Sequence, residues 1–448
     1  MSGSVMDAAD RLSAPEAADA KASAGAAATN TSGAEAGARV IRQLVIVEWK
    51  GRLLTAVYEN DKLAELLLDD QEDRILGNIY VGKVQNIVKN INAAFVEFDH
   101  QKRRCGYYSL SENKSHFFMN QKKSAALVPG DELLVQVIKE PVKTKTATLT
   151  GKFTITGQRL VLTAKKCLVG ISSKITDEAE KGRLRSLIEP LVTENYGFII
   201  RTQAEGCDAM ELCEEAAGLA RRYEELLRKA SFSKCFTKLY SELPSYLKYA
   251  QSHPDIDKIT TDLPDVYQQL EAGIQNLGLS IPIVFYEDES WPLIKLKSLP
   301  THIERALNPL VWLKSGGFLT IQPTEAMVVI DVNTGRYMGK KTDQETFFKT
   351  NMEAAHEIAR QLRLRNLSGI IIIDFIDMKD ASMRKRLFSE LGELVAKDTV
   401  KTTLVDTTRL GLVEMTRKKE RRPLHEQLLK ACPKCHGHGM IEVENYET

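Results

Sequence analysis

Apolar positions recur along the chain with two periods, and the change from one to the other divides it into regions. Near residue 40 an alternating run begins: Arg42-Gln-Leu-Val-Ile-Val-Glu48, then Lys50-Gly51, then residues 52–59. This predicts a β-hairpin about a glycine turn. From Gly77 to Gly151 only short strand-like runs occur, such as 78–84, 93–98 and 132–138, separated by turn signals such as Pro129-Gly130-Asp131. That is the pattern of a small barrel, interrupted by a polar loop at 113–125. Residues 152–242 are mixed: strand-like pieces at 158–162 and 197–201 precede a long helix over about 208–230. Between Pro244 and Pro282, helical stretches and short strands follow, one strand at 257–262.

From about 303 to 428 strand and helix alternate. Residues 317–322 and 326–332 predict a hairpin around Pro323-Thr324, with Pro in a favoured turn position. A helix follows from 343. Thr342 and Glu345 have capping-box spacing, and Phe348, Met352, Ala355, Ala359 and Leu362 mark its buried face. Gly369-Ile-Ile-Ile-Ile-Asp374 is a continuous apolar run, which predicts a strand covered on both faces. A second amphipathic helix (Met383, Leu387, Leu391, Leu394) and a strand at 402–406 complete an α/β layer. The fold class expected is multidomain, α+β and α/β, without internal repeats.

A length of 448 residues allows two to four domains at roughly 100–200 residues each. With 43% hydrophobic and 27% charged residues, collagen-like, wholly disordered and disulfide-scaffold proteins are excluded. No run of about 18 uncharged apolar residues exists, so no membrane span is expected. Of seven cysteines, Cys105, Cys167, Cys207, Cys213 and Cys235 show no motif spacing. This fits a reducing, cytoplasmic setting. Residues 1–38 contain fourteen Ala, no aromatic residue, five acids and two bases. They cannot bury enough surface to fold alone, so a disordered tail is expected over 1–39. Its acids argue against a transit peptide, and it lacks the apolar core of a secretory signal. The net charge of +1 does not exclude a polyanionic ligand, because local patches outweigh the sum.

The chemistry concentrates where two apolar runs end in acid: Met327-Val-Val-Ile-Asp331-Val-Asn333 and Ile370-Ile-Ile-Ile-Asp374-Phe-Ile-Asp377. Ligands of open α/β sheets collect at the carboxyl ends of strands. Two carboxylates on neighbouring strands repel unless a cation joins them, and Mg²⁺ takes one or two carboxylates plus phosphate oxygens and water. Asn333, two residues after Asp331, shares its face. Gly335, Arg336, Gly339, Lys340 and Lys341 supply a basic loop suited to a phosphodiester. A strand-end Asp also caps helices or closes turns; the pair, the Asn and the basic loop together favour a metal–phosphate site.

Within the expected barrel, Phe95, Tyr107 and Tyr108 are candidates to stack bases, with Lys83, Lys89, Lys102, Arg103 and Arg104 to meet phosphates. Phe95 also suits a core position. The run Arg417-Lys-Lys-Glu-Arg-Arg422 is either a solvated helix face or an RNA-backbone contact. Arg201-Thr202, at a strand end before a Gly206 turn, can bind a terminal phosphate or lie free on the surface. Cys432-Pro-Lys-Cys435-His-Gly-His-Gly439 has zinc-knuckle spacing. His436 and His438 lie too close to Cys435 for an unstrained tetrahedron. One Cys pair from each of two chains gives the simpler four-thiolate zinc site, and a free or redox dithiol is the alternative.

These residues resemble the ribonuclease E/G endoribonucleases from about Val40 to Gly439. The most specific elements are Ile330-Asp-Val-Asn-Thr-Gly335, Asn351-Met-Glu-Ala-Ala355, Ile358-Ala-Arg-Gln-Leu-Arg-Leu-Arg365, Ile373-Asp-Phe-Ile-Asp-Met378 and Cys432-Pro-Lys-Cys435. The lack of a long C-terminal scaffold sets the chain with the shorter, G-type members. The resemblance implies an RNase H-like fold split between 40–76 and 243–306, an S1 (OB-type) barrel at 77–151 inserted in it, and a 5′-sensor region at 152–242. A DNase I-like catalytic region at 307–428 and a zinc link within 429–448 follow.

By the same resemblance Asp331 and Asp374 are magnesium ligands and Asn333 supports catalysis. Arg201 and Thr202 read a 5′-monophosphate, with Gly157 and Val161 beside that pocket. Phe95 and Tyr107 are RNA contacts on the S1 face. Where many relatives have a supporting Arg, this chain has Lys401, which keeps charge and loses the bidentate fork. At position 107 Tyr replaces the family's commoner Phe. The chain stops nine residues after Gly439, which weighs against assembly beyond a zinc-linked homodimer. The expectation is a magnesium-dependent endoribonuclease of single-stranded RNA with 5′-phosphate and 3′-hydroxyl products. Its implied roles are rRNA and tRNA processing and mRNA turnover. The alternatives are a non-catalytic S1 RNA-binding protein and a DNA nuclease using the same carboxylates.

Overall fold

The computed structural model describes residues 39–69, 74–119, 122, 126–141, 145–335, 343–430 and 432–433. The Ala-rich stretch and the capping-box residue Thr342 lie outside the described residues. The chain begins with β1 (Arg42–Trp49), β2 (Arg52–Glu59) and β3 (Lys62–Asp69). Then come β4 (Ile79–Val88), β5 (Ala93–Asp99), β6 (Arg104–Ser109), β7 (Glu132–Lys139) and β8 (Ala147–Thr150). A mixed stretch holds β9 (Thr154–Thr156), β10 (Leu160–Ala164), β11 (Val169–Ile171), α1 (Glu178–Ile188), β12 (Tyr196–Ile200), α2 (Ala209–Ser231) and β13 (Lys238–Tyr240). Next are α3 (Ser245–Ser252), β14 (Lys258–Thr261), α4 (Pro264–Asn276), β15 (Ile283–Phe285), α5 (Leu293–Leu296) and α6 (Leu299–Leu307). The last stretch is β16 (Leu310–Trp312), β17 (Phe318–Pro323), β18 (Met327–Asn333), α7 (Asp343–Leu364), β19 (Gly369–Asp374), α8 (Ala381–Ala396), β20 (Thr402–Thr407), β21 (Val413–Arg417) and α9 (Leu424–Leu428).

The β1–β2 hairpin forms on the expected turn: Lys50 and Gly51 both have positive φ, 53° and 73°, the backbone of a two-residue hairpin loop. Asn60 and Asp61 repeat it at φ 48° and 60° and add β3, a strand that the glycine-free turn did not announce. The chain then leaves this sheet and returns to it. β14 pairs parallel with β1, and β15 pairs with β14, giving the order β15-β14-β1-β2-β3. Between departure and return, β4-β5-β6-β8-β7 close into a five-stranded barrel through the β4–β7 pairing. The protein is therefore a mixed α+β chain with an S1/OB-type closed barrel and an α/β region.

α2 follows the expected pattern. Asp208 caps it by accepting from Met210 N–H at 2.9 Å, and Leu212, Ala216, Leu219, Tyr223, Leu226 and Ala230 are its buried stripe. The α/β region is a six-stranded sheet, β16-β17-β18-β19-β21-β20. α7 and α8 cover one face through Ala354, Ala355, Ile358, Leu362, Leu387 and Leu391. The other face is open. Ile371 and Ile373 are buried, whereas Ile370 is 48% exposed and Ile372 half-buried, so β19 is not covered on both faces as the apolar run suggested.

α7 also ties this region to the first sheet. Arg363 donates to Glu59 Oε2 at 2.6 Å and Glu65 Oε1 at 3.5 Å, and Arg360 Nη1 donates to the Leu63 carbonyl at 2.6 Å. Near that junction His253 stacks on Tyr249, ring centroids 4.1 Å apart and nearly parallel. Its Nδ1 lies 3.1 Å from the Tyr249 carbonyl. Burial, and next the Arg42 charge, push its pKa down to about 4, against roughly 6.5 for a free His. Between those values the unfolded chain binds the extra proton, so stability falls as pH drops from about 6.5 to 4, by on the order of 2–3 kcal/mol. His253→Phe keeps the stack and removes the titration. Urea denaturation at pH 7 and pH 4.5 should therefore show the variant losing less stability than the parent, and equal losses would contradict the assignment.

Candidate active site

β18 and β19 run parallel in a register that pairs Ile330 with Ile373 and Asp331 with Asp374. Period two then sorts the side chains. Val328, Ile330 and Val332, with Ile371 and Ile373, enter the core under α7 and α8. Asp331, Asn333 and Asp374 point to the open face, their strands about 4.8 Å apart. Asn333 Nδ2 donates to Asp331 Oδ2 at 2.6 Å. Burial, then the charges of Asp331 and Asp377, raise the Asp374 pKa from its ordinary value. Two close packings of backbone shape this end of the sheet. Gly335 has φ 61°, and a Cβ there would strike the Gly316 carbonyl. A Cβ at Gly317 would sit 2.7 Å from the Asn333 carbonyl.

The segment after Asp374 is held by a side chain that sequence reasoning gave no role. Asn351, fully buried on α7, donates from Nδ2 to the Ile376 carbonyl at 2.8 Å and accepts from Ile376 N–H at 3.1 Å. The amide thereby acts as a strand partner for the chain between Asp374 and Asp377. Asp377 is a third carboxylate near the pair, and its Oδ1 would lie 3.9 Å from a Cβ at Gly411, in the β20–β21 turn. A polar residue on an otherwise apolar helix face was the available signal for Asn351.

The remaining expected residues fall in several places. Arg336 and Lys340 lie outside the described residues. On the barrel, Phe95 and Tyr107 are paired across β5 and β6, edge to face at 6.3 Å, and both are half-buried. Lys83 is half-buried on β4, opposite Glu97. Tyr108 is fully buried and bonded through its hydroxyl to His116 Nδ1 at 2.9 Å, so it is a core residue. Arg417, first of the basic run, is also structural: it is buried, donates to Asp398 Oδ2 at 2.7 Å and to Asn366 Oδ1 at 2.9 Å, and ends a strand, not a helix.

Arg201 reaches across its own region. Its Nη1 donates to the Gly157 and Gln158 carbonyls at 2.9 and 3.0 Å, and its Nη2 to Ser252 Oγ at 3.0 Å. Thr202 Oγ1 meets Ser172 Oγ at 3.1 Å. A Cβ at Gly157 would collide with Glu215 Oε1. Val161 is half-buried on β10, opposite Ile199. Arg201 and Ser252 line a cleft that also includes Thr399 and Val400. Lys401, the next residue, is exposed. Of the zinc pair, Cys432 is exposed and free, and Cys435 lies outside the described residues.

Among the described residues no set of three or more His, Cys, Asp or Glu converges on one point. The Asp331–Asp374 pair therefore offers two hard oxygen donors rather than a full protein cage, a donor set that fits Mg²⁺ with its retained waters. The charge of Asp331 adds to burial in raising Asp374, and a divalent cation between the two relieves that repulsion.

Asn351→Ala should leave the Ile376 N–H and carbonyl without their buried partner, at about 2–3 kcal/mol of stability. Urea denaturation checks this; a variant as stable as the parent would show that the clamp carries no load.

A family profile described as Ribonuclease E/G family matches residues 154–420. Ribonuclease G of Haemophilus influenzae is 37% identical over 401 residues, covering 87% of this chain and 82% of that protein. Ribonuclease G of Escherichia coli is 37% identical over 396 residues, covering 85% and 80%. Ribonuclease E of a Nostoc species is 32% identical over 409 residues, covering 89% of this chain and 58% of that protein. A profile spanning the strands that carry both aspartates, with relatives aligned over most of their length, establishes that the chain belongs to the ribonuclease E/G family.

Proposed function

We propose that this chain is a magnesium-dependent endoribonuclease that hydrolyses single-stranded RNA and leaves 5′-phosphate and 3′-hydroxyl ends. The observation that carries the reading is the register that sets Asp331 beside Asp374 on an open sheet face. Family membership supports the endoribonuclease activity. Asp331 and Asp374 would hold the magnesium ion. When bound, the ion supplies Lewis-acid stabilisation of phosphate charge and a more acidic water. Asn333 fixes the Asp331 carboxylate through its 2.6 Å hydrogen bond, and Asn351 fixes the backbone that follows Asp374.

The finer architecture belongs to the same reading. The sheet β15-β14-β1-β2-β3 is taken as the RNase H-like part, from 40–76 and 243–306. The barrel is the S1 domain, 152–242 the 5′ sensor, and 307–428 the DNase I-like catalytic region. Phe95, Tyr107 and Lys83 would contact RNA on the barrel. Arg201, Thr202, Gly157, Val161 and Lys401 would read a 5′-monophosphate; the cleft shared by Arg201 and Val400 supports that grouping. Cys432 and Cys435 of two copies would share one zinc ion. The same reading includes rRNA and tRNA processing and mRNA turnover in the cytoplasm. No helix among the described residues is long and apolar enough to cross a membrane.

A cleavage assay on a short AU-rich RNA, with and without magnesium and a 5′-phosphate, tests the reading. Asp331→Asn or Asp374→Asn should lower cleavage by at least about a hundredfold, near 3 kcal/mol of transition-state stabilisation, with RNA affinity nearly unchanged. Loss of binding without any cleavage by the parent would instead make the protein a non-catalytic RNA binder. Separately, Cys432→Ser with Cys435→Ser should give zinc-free monomers on sedimentation; a zinc-free dimer of the parent would end the shared-zinc assignment.

A further inference from the structure

The row of catalytic side chains continues sideways into aromatics. β16, β17 and β18 are antiparallel neighbours, and their register pairs Trp312 with Phe318, Phe318 with Asn333, and Thr320 with Asp331. Directly opposed residues in such pairs point to the same face. Trp312, Phe318 and Asn333 therefore form one cross-strand row on the open face, and Leu310, Thr320, Asp331 and Asp374 form the next. At about 4.8 Å per strand, the Trp312 backbone lies about 10 Å from that of Asn333. The two rings meet with centroids 5.4 Å apart, tilted by 60°. Trp312 is 66% exposed, and its indole N–H has no partner among the described residues.

Val311, between Leu310 and Trp312, is the residue of β16 that packs into the core under α7 and α8. The aromatic pair instead occupies the face that a phosphodiester must approach to reach Asp331 and Asp374. A phosphate held there carries its flanking nucleotides along the sheet surface, toward the neighbouring aromatic row. Unpaired bases stack on exposed aromatic rings irrespective of sequence, and a large indole at an edge strand suits that contact.

We propose that Trp312, braced by Phe318, is a stacking site for an unpaired base flanking the scissile phosphate of RNA. The proposal rests on the endoribonuclease reading above. It assigns substrate positioning to a residue pair outside the carboxylate cluster, and favours substrates whose bases beside the cut are free to leave a helix.

The test uses the full chain, a short RNA with one cleavage site, and the same RNA carrying an abasic nucleotide at each flanking position in turn. Trp312→Ala should raise KM about tenfold with kcat nearly unchanged, and Trp312→Phe should restore most of the loss. One abasic position should cost the parent a similar factor and add nothing to Trp312→Ala. In a Trp49→Phe, Trp291→Phe background without magnesium, the RNA should quench the Trp312 fluorescence, and it should still do so with Asp374→Asn. A parent that binds but never cleaves would sink the endoribonuclease reading, while quenching would still report stacking. Parental KM in Trp312→Ala with cleavage intact, or equal abasic costs in both proteins, would overturn the stacking site alone. A change in sedimentation of Trp312→Ala with unaltered RNA kinetics would also overturn it, assigning the face to a second copy of the chain.

Discussion

Two carboxylates set one strand apart repel, and the α/β region is built to keep them there. The parallel pairing of β18 with β19 brings Asp331 and Asp374 level at the strand tips. The alternation along β18 holds the register, because a slip of one residue would turn Val328, Ile330 and Val332 out of the core and Asp331 and Asn333 into it. Burial, and next the Asp331 charge, raise the Asp374 carboxyl pKa. Everything proposed about catalysis depends on this pairing: the divalent ion that relieves it, the amide of Asn333 that steadies one member, and the open face that lets a phosphodiester reach both.

α7 supplies the stiffness. One part of it presents Asn351 to the backbone after Asp374, and a later turn presents Arg360 and Arg363 to β2 and β3. A single helix thus fixes the segment after Asp374 and docks the α/β region on the first sheet. Glu65 is buried deeply enough that burial raises its pKa despite the nearby Arg363, so the docking depends on that guanidinium staying in place. The Ile358–Arg365 motif therefore mainly joins the α/β region to the first sheet, and its arginines are engaged with protein.

The proposed substrate-facing surfaces are spread over separate parts of the chain. Phe95 and Tyr107 lie on the barrel, Arg201 lines a cleft with Thr399 and Val400, and Trp312 and Phe318 lie in the row next to the carboxylates. Several weak contacts distributed in this way suit an extended, flexible polyanion better than a compact ligand.

The sequence by itself determined that two apolar runs end in acid, that Lys50-Gly51 makes a hairpin turn, and that 77–151 is all β, since each is a local pattern of period or turn chemistry. It also carried the family motifs. It did not announce β3, because Asn60-Asp61 lacks the glycine that marks such turns and the run after it is rich in leucine. It mistook β19 for a strand covered twice, because four isoleucines look alike whichever side the helices take. It left Arg417 among solvent or RNA contacts, because its partners Asp398 and Asn366 are far away along the chain. Only the tertiary structure decided that Asp331 stands beside Asp374, that Asn351 clamps Ile376, and that Trp312 shares their face. Each of these depends on strand order and register, which are set by packing between segments far apart in the chain.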